Sequence, residues 1–267
     1  MLKEEFVSNN IHSTAIIGDN VKIGKNVEIG PFAIIGDNVK IGDETKIKSN
    51  VKINSYVELG KNNIIHPYAY LGGPPQDVKY NGEKTWVKIG NNNIIREYVT
   101  VHRSSKENES TVVGDENFLM AYSHLAHDCR VGNRNTIVNY AGISGHVEIE
   151  DDTFISGSTL VHQFVKIGKM TMIGGGSKIT QDVLPFTLVD GNPCNVYGLN
   201  IVGLRRNRVS KETRNALKRA LRVALDKKRK KKIISELKQM KIYDFEEVKH
   251  FVNFVQKSER GLLLRGN

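Results

Sequence analysis

The chain repeats an aliphatic residue every six positions. Isoleucine, leucine or valine recurs at this interval through residues 11–71, 89–101 and 113–179. An amphipathic helix needs apolar residues at a spacing of 3.6 and a half-buried strand needs a spacing of 2, so a period of six fits neither element alone. It fits a prism in which each hexad forms one side and three hexads form one coil. The sequence therefore predicts a left-handed parallel β-helix, the solenoid that hexapeptide repeats build.

Two insertions interrupt the six-residue count. Residues 72–87 (GGPPQDVKYNGEKTWV) are rich in turn formers, and residues 103–111 (RSSKENEST) are short and polar. Loops that project from a rigid solenoid commonly carry binding groups, because the scaffold itself presents little variety. We therefore predict a β-helix domain over residues 1–190 with functional loops at both insertions.

Helical spacing replaces the six-residue count after residue 190. Ser210 is placed to cap a helix, and apolar series around Ile233 and Val248 predict two more. We predict a helical domain over residues 191–267. It is expected to cover or flank one end of the prism, where strand edges would otherwise be unpaired.

Composition narrows the class of protein. No apolar run is long enough for a transmembrane helix, and the first ten residues lack the apolar stretch of a signal peptide. These features predict a cytoplasmic protein without an integral membrane segment. Cys129 and Cys194 are far apart and form no metal-binding motif, and the position of Cys129 in its hexad predicts a packing role.

The net charge of +10 is concentrated between residues 205 and 232. Such a charge implies an anionic partner without choosing one. No recognised nucleic-acid-binding motif or aromatic stacking series accompanies the basic residues, so nucleic acid is not the expected partner. Two interpretations stay open: a solvated helix face, or a docking surface for an acidic protein or a phosphorylated ligand.

The repeat also predicts which side chains lie together. Positions eighteen apart should stack on the same side of the prism, about 4.8 Å from one another. This spacing places His127, Gly145 and Gln163 in one outward column, with Asp128 and His146 in the next. The predicted cluster on this edge comprises His124, His127, Asp128, His146, His162 and Gln163.

A ridge of imidazoles beside a carboxylate has three interpretations. It can be a metal site, a general-base site, or a set of structural surface contacts. The residues beside the ridge favour a general-base site, because Gly145 offers a backbone N–H to an oxyanion and Asp128 can hold one tautomer of an imidazole. No nucleophile motif is present, so the simplest reaction is direct attack by a substrate hydroxyl or amine on an activated acyl group, with His127 as base.

Several segments resemble one family of enzymes. The stretch HLAHDCRVGNRN (124–135), followed by AGISGHV, LVHQF and GLNIVGLRRN, is similar to the UDP-N-acetylglucosamine O-acyltransferases, which begin lipid A synthesis in Gram-negative bacteria. The segments PPQDVKY (74–80), TVHR (100–103) and RGLLLR (260–265) agree with the same family. The resemblance extends from the first coil to the C-terminus.

The resemblance implies a homotrimer that moves 3-hydroxyacyl groups from an acidic acyl carrier protein to the glucosamine 3-position of UDP-N-acetylglucosamine. The donor is the phosphopantetheine thioester, and no metal or other cofactor is implied. His127 would be the general base, Asp128 would orient it, and Gly145 would supply the oxyanion-hole amide. Some relatives acylate a 3-amino analogue of the sugar nucleotide instead, and the sequence does not choose between the two acceptors.

The family motifs also map substrate contacts onto this chain. These contacts fall on Asp77, Lys79, His102, His124, His146, His162, Gln163, Asn200 and Arg206. Gly175 matches the position that limits acyl length, and its missing side chain favours a longer acyl chain. The chain departs from the pattern at Val202 and Asn207, near the expected uridine contacts.

In the light of this resemblance, the basic helical region is best interpreted as the docking surface for the carrier. Two other classes of protein remain as alternatives. One is a zinc-dependent hydratase of the carbonic anhydrase type on the same scaffold. The other is a non-catalytic β-helix.

Overall fold

The fold was described from a computed structural model, which covers residues 9–227 and 229–264. Parts of the predicted N-terminal stretch, of the basic run at residue 228 and of the RGLLLR ending at residue 265 lie outside this range. The described residues confirm the left-handed β-helix with a helical region after it.

Three sheets form the sides of the prism, and successive strands along the chain pass from one sheet to the next. The first sheet contains Asn10–Ile11, Glu28–Ile29, Lys46–Ile47, Ile64–Ile65, Ile94–Ile95, Phe118–Leu119, Thr136–Ile137, Phe154–Ile155, Met172–Ile173, Thr187–Asp190 and Asn195–Leu199. The second contains Ile16–Ile17, Ile34–Ile35, Lys52–Ile53, Tyr70–Gly73, Thr100–His102, His124–Leu125, Gly142–Ile143, Leu160–Val161 and Lys178–Ile179. The third contains Lys22–Ile23, Lys40–Ile41, Val57–Leu59, Trp86–Ile89, Ser110–Val113, Arg130–Val131, Glu148–Ile149 and Lys166–Ile167.

Strand pairing follows the eighteen-residue coil except where the loops leave it. Leu125 pairs with Ile143, eighteen residues on, whereas Val101 pairs with Leu125, twenty-four residues on. The strands reach into both predicted insertions, so the loops proper are shorter and span residues 74–85 and 103–109. Both loops therefore project from the prism, and the strands above and below them still pair, with a register shift between Leu71 and Gly73 where the first loop leaves the second sheet.

The corners of the prism require a left-handed backbone. One residue in most hexads has positive φ, and asparagine, which tolerates this conformation best after glycine, often fills the position. Asp128, His146 and Phe164 occupy successive corner positions with φ of 61°, 60° and 65°. We call this column the histidine corner. Its backbone directs three side chains of different coils toward the same region.

The interior of the prism is a thin aliphatic core. The repeated residues, such as Leu125, Ile143 and Val161, are buried one above another. Cys129 lies in the same interior, and burial raises the pKa of its thiol to about 12, as expected for a packing residue.

Polar side chains stack inside the prism as well. The Oδ1 atoms of Asn63, Asn93, Asn117 and Asn135 each accept the backbone N–H of the next residue in the column at 2.8–2.9 Å, and the column ends at Thr153. The side-chain amides of Asn93 and Asn117 donate to the same column. This ladder satisfies buried backbone groups that the sheets leave unpaired.

The helical region begins with a short helix and continues as a bundle. The helices are α1 (Ile201–Arg206), α2 (Lys211–Lys227), α3 (Lys230–Gln239), a 3-10 turn (Lys241–Asp244) and α4 (Glu246–Lys257). The hydroxyl of Ser210 accepts the N–H of Thr213 at 3.0 Å, which confirms the predicted cap. No helix among the described residues is both long and apolar enough to cross a membrane.

The chain after α4 returns to the last coil of the prism. The Asp182 carboxylate accepts the hydroxyl of Ser258 at 2.7 Å and the N–H of Glu259 at 3.0 Å. The antiparallel pair Thr187–Asp190 and Asn195–Leu199 completes the first sheet beside Met172–Ile173. Both features cover strand edges at this end. The strand Asn195–Leu199 lies within residues 191–267, for which the sequence predicted only helices.

Removing one rung of the asparagine ladder should destabilise the prism. Asn117→Ala leaves the buried N–H of Asn135 without its acceptor and opens a small cavity. We expect the free energy of unfolding to fall by about 2 kcal/mol or more. Urea unfolding followed by circular dichroism measures the change. Asn253→Ala, at an exposed site of α4, is the control and should stay within about 0.5 kcal/mol of the parent.

Candidate active site

A cavity of about 470 Å³ lies along the outer face of the second sheet. Six of the predicted residues line it: His102, His124, His127, Gly145, His162 and Gln163. Leu160, Lys178 and Thr180 extend the lining along the face over the following coils. The stacking rule therefore brings most of the predicted cluster into one concave surface.

His127 and Asp128 form a hydrogen-bonded pair at the edge of this cavity. Nδ1 of His127 lies 2.7 Å from Oδ2 of Asp128, and both side chains are largely buried. An ionised carboxylate only accepts, so this contact assigns the proton to Nδ1. Within the described part of the chain, no hydrogen bond engages Nε2. That nitrogen carries the lone pair and can accept a proton.

The Asp128 carboxylate is held by the second loop. Its Oδ1 accepts the hydroxyl of Ser104, and its Oδ2 accepts the hydroxyl of Ser105 at 2.7 Å and the Ser105 N–H at 3.1 Å. Burial alone would raise the pKa of Asp128. The hydrogen bonds from Ser104, His127 and Ser105 outweigh it and lower the pKa to about 2. The carboxylate is therefore ionised at neutral pH.

Gly145 lies one coil above His127 and in contact with its ring. A Cβ at this position would fall 2.6 Å from Cε1 of His127, so only glycine allows the imidazole its present place. Over residues 9–227 and 229–264, no acceptor pairs with the buried N–H of Gly145. An unpaired backbone donor in a cavity wall is the kind of group that stabilises an oxyanion.

His102 and His124 form a second imidazole pair on the cavity wall. Their rings meet edge to face at 5.1 Å, with Nδ1 of His102 bonded to the carbonyl of Pro74 and Nδ1 of His124 to the hydroxyl of Thr100. Burial lowers the pKa of both residues, and it lowers that of His124 to about 4. Both rings are neutral at pH 7 and can offer directional hydrogen bonds without charge.

His146 links the cavity to the first loop. Its ring stacks on Phe164 at 4.5 Å, and its Nε2 lies 3.6 Å from Oδ2 of Asp128. Burial lowers the pKa of His146, while the negative charges of Asp128 and Asp77 oppose the shift. Asp77 is thus close enough to act on His146 electrostatically. Lys79 belongs to the same loop, and its side chain is exposed.

Seven of the thirteen predicted residues do not line this cavity. Asp128 and His146 contact His127 beside it, Asp77 and Lys79 belong to the first loop, and Asn200, Arg206 and Gly175 lie away from it within one chain. Asn200 is the cap of α1, where its Oδ1 accepts the N–H of Gly203 at 2.9 Å and its amide donates to the carbonyl of Met170. Arg206 is exposed at the end of the same helix, and Gly175 is exposed at the opposite edge of the second sheet.

The metal interpretation has a corresponding set of atoms. His127, Asp128 and His146 can each offer one ligand atom, and these atoms lie within 4.8 Å of one another. However, Oδ2 of Asp128 already accepts hydrogen bonds from His127 and Ser105. A zinc ion bound through this oxygen would compete with both donors. The observed hydrogen bonding therefore fits the general-base interpretation better.

The sequence reasoning missed the two serines that hold Asp128. The strand before the second loop, Thr100–His102, pairs with His124–Leu125 at a separation of twenty-four residues, and the same separation places Ser104 directly beside Asp128. Applying this longer spacing instead of eighteen would have predicted the contact. Gln76 and Lys178 also line the cavity and were missed. Gln76 lies in the PPQDVKY segment, where only Asp77 and Lys79 were assigned substrate contacts, and Lys178 lies in none of the family segments.

Matches to two family models define the class of protein to which this chain belongs. Residues 14–43, 38–73 and 110–145 match the family described as bacterial transferase hexapeptide (six repeats). Residues 182–263 match the family described as Udp N-acetylglucosamine O-acyltransferase, domain 2. The prism is thus of the hexapeptide transferase class, and the helical region matches one particular branch of it.

Individual relatives agree with this branch over nearly the whole chain. The acyl-[acyl-carrier-protein]--UDP-N-acetylglucosamine O-acyltransferase of Thermodesulfovibrio yellowstonii is 48% identical, with 95% of this chain and 99% of the relative covered. The LpxA structure from Acinetobacter baumannii has a TM-score of 0.92 at 40% identity, covering 95% and 99% of the two chains. The UDP-N-acetylglucosamine acyltransferase of Francisella novicida gives 0.91 at 37%, covering 96% and 95%. The chain belongs to the UDP-N-acetylglucosamine O-acyltransferase family, which confirms the resemblance and makes it an acyltransferase.

The buried neutral state of His124 predicts a pH-dependent stability. Its pKa rises from about 4 in the folded chain to an ordinary 6.5 on unfolding, so the unfolded chain binds more protons between these values. We expect the free energy of unfolding to fall as the pH falls from 6.5 to 4. His124→Gln should make this fall shallower in urea titrations across the range. The exposed-site control His12→Gln should reproduce the parental slope.

Proposed function

We propose that this protein transfers a 3-hydroxyacyl group from acyl carrier protein to the 3-hydroxyl of UDP-N-acetylglucosamine. This is the first step of lipid A synthesis and would take place in the cytoplasm. The observation that carries the proposal is the His127–Asp128 pair beside Gly145, whose N–H has no acceptor among the described residues and borders the same cavity. The names of the relatives supply the two substrates.

The reaction requires no nucleophile from the protein. Nε2 of His127 removes the proton of the sugar hydroxyl as its oxygen attacks the thioester carbonyl. The carbonyl oxygen becomes an oxyanion, and the N–H of Gly145 stabilises it. The tetrahedral intermediate then collapses, the C–S bond breaks, and the thiolate takes the proton from His127. Asp128 keeps the imidazole oriented and stabilises its charged form.

The remaining cavity residues would bind the sugar nucleotide. His102, His124, His162 and Gln163 line the cavity around the base. His146 contacts the His127 ring from the next coil, and Asp77 of the first loop acts on His146 electrostatically. Their mixture of imidazoles, an amide and charged groups suits a polar sugar with a diphosphate. The phosphopantetheine thioester is the only activated group that this scheme needs.

We further propose a homotrimer in which the site is completed across subunits. Asn200 and Arg206 lie outside the single-chain cavity, so contact with the same substrate requires a neighbouring copy. A surface suited to such contact lies along the corner between the first and second sheets. Four exposed tyrosines stack there at ring distances of 4.7–5.0 Å: Tyr68, Tyr98, Tyr122 and Tyr140. Aromatic residues are enriched at subunit interfaces.

Gly175 supports a long acyl chain in this arrangement. It lies on the same corner as the tyrosines, and a Cβ there would meet no atom closer than 3.4 Å. The open position would let an acyl chain pass between subunits. A residue with a large side chain at this position would end the channel and favour a shorter chain.

The basic helical region would receive the acidic carrier protein. Helices α2 and α3 carry exposed basic residues, including Lys218, Arg219 and Arg222. An apolar cavity of about 540 Å³ lies between α2 and the strand Asn195–Leu199, with Lys218 and Arg222 at its rim. Charge complementarity of this kind mainly increases the rate of encounter.

A single set of assays tests the activity and its base. Purified protein is offered hydroxyacyl carrier proteins of several chain lengths with UDP-N-acetylglucosamine or its 3-amino analogue. We expect transfer to the hydroxyl acceptor and a preference for longer chains. His127→Ala should lower kcat by at least about a hundredfold, because the general base is lost. Circular dichroism and the elution volume check that the variant folds and assembles like the parent.

Three outcomes would contradict the proposal. Ordinary activity in His127→Ala would remove the base from the mechanism. Transfer to the 3-amino analogue alone would make the protein an N-acyltransferase. Stoichiometric zinc in the purified protein, together with hydratase activity and no acyl transfer, would favour the zinc alternative.

Salt dependence tests the docking surface. Raising the ionic strength should raise the KM for the acyl carrier protein, since screening weakens attraction between exposed charges. Acyl-pantetheine lacks the acidic protein, so its KM should respond little to salt and serves as the matched control. Lys218→Ala/Arg222→Ala should raise the carrier KM at low salt and reduce its salt dependence. Equal KM values for parent and variant at all salt concentrations would place the docking surface elsewhere.

A further inference from the structure

The second loop makes specific contact with the carboxylate behind the general base. Ser104 is fully buried although it belongs to a polar loop of the surface. Its hydroxyl donates to Oδ1 of Asp128 and accepts the N–H of Lys106 at 3.2 Å, which closes a turn. Ser105 donates to Oδ2 through both its hydroxyl and its backbone. Two consecutive serines thus bind both oxygens of one carboxylate.

Binding both oxygens fixes the plane of the carboxylate. The terminal torsion of an aspartate is broad and nearly two-fold, so an unsupported carboxylate samples a wide range of orientations. The backbone of Asp128 sets where this side chain begins, and the serines set how its carboxyl group is turned. The orientation matters because Oδ2 is the acceptor for Nδ1 of His127.

We propose that Ser104 and Ser105 are positioning residues that act through Asp128 on the general base His127. This inference rests on the proposed acyltransferase function and assigns a role to the loop of residues 103–109. The serines hold the carboxylate in line with Nδ1 and share its negative charge. They thereby keep Nδ1 of His127 as the hydrogen-bond donor, so that Nε2 is the nitrogen that accepts the proton of the substrate hydroxyl.

Other titratable groups surround the pair and enter any pH measurement. His102 and His124 face His127 from the strands of the second sheet, and His146 faces both members of the pair from the next coil. Lys106 and Asp77 act on His146 from the two loops with opposite signs. None of these groups is altered when the serine hydroxyls are removed, so they are common to all variants compared.

The test compares Ser104→Ala/Ser105→Ala with the parent enzyme. We expect kcat to fall about tenfold to a hundredfold, as the carboxylate loses two hydrogen bonds from hydroxyls. KM for both substrates should stay within about twofold, because the loss falls on the transition state and not on substrate binding. The acidic limb of the kcat–pH profile should move to higher pH, since a less solvated carboxylate favours the imidazolium more strongly.

Two single substitutions provide matched controls. Ser105→Thr keeps the hydroxyl and should recover most of the activity of the parent. Glu107→Ala, at an exposed position of the same loop, should leave kcat and the pH profile unchanged. A purely structural role of the loop would lower activity equally in Ser105→Ala and Ser105→Thr and would overturn the proposal.

A double-mutant cycle with Asp128→Asn tests whether the serines influence kcat through the Asp128 carboxylate. If the serines act only through the carboxylate, their removal should change kcat little once Asp128 is Asn. A full additional loss in that background would overturn the proposal. Parental kcat and pH profile in the double serine variant would overturn it as well, while leaving the proposed function intact. Failure of the parent enzyme to transfer acyl groups would instead refute the proposed function.

Discussion

The structure depends on the parallel hydrogen bonds that join each coil to the next. They hold equivalent residues of successive coils in register, with separations of eighteen residues, thirty where the first loop intervenes and twenty-four where the second does. The aliphatic core, the asparagine ladder and the histidine corner all follow from this register. The side chains of the site are therefore supported by the paired strands of the prism, and rigid elements are the best support for catalytic groups.

The same register decided what could be predicted from the sequence. The period of six defined the fold, and the rule of eighteen correctly joined His127 with Gly145 and Asp128 with His146. The rule of eighteen failed for Ser104, because the loop lengthens the separation and the spacing of the flanking strands must be known first. The resemblance to family motifs assigned roles to residues outside the six-residue repeat, such as Asp77. Loops carry no period, so their contacts with the prism depend on three-dimensional packing.

The positions of Asn200, Arg206 and Gly175 show a second limit. Resemblance assigned these residues to the substrate, yet in one chain they lie away from the cavity. Asn200 also has a structural role, since its side chain caps a helix and binds the carbonyl of Met170. A sequence motif records that residues serve one site, but it does not record which copy of the chain supplies them.

The left-handed corners limit the chemistry that this scaffold can display. Asp128, His146 and Phe164 all sit where φ is positive, and β-branched side chains fit that backbone poorly. Threonine, valine and isoleucine are thus disfavoured along the whole edge, whatever reaction would call for them. Acids, amides, imidazoles and flat aromatic rings are accepted. New activities that arise on this edge would have to use that limited set of side-chain types.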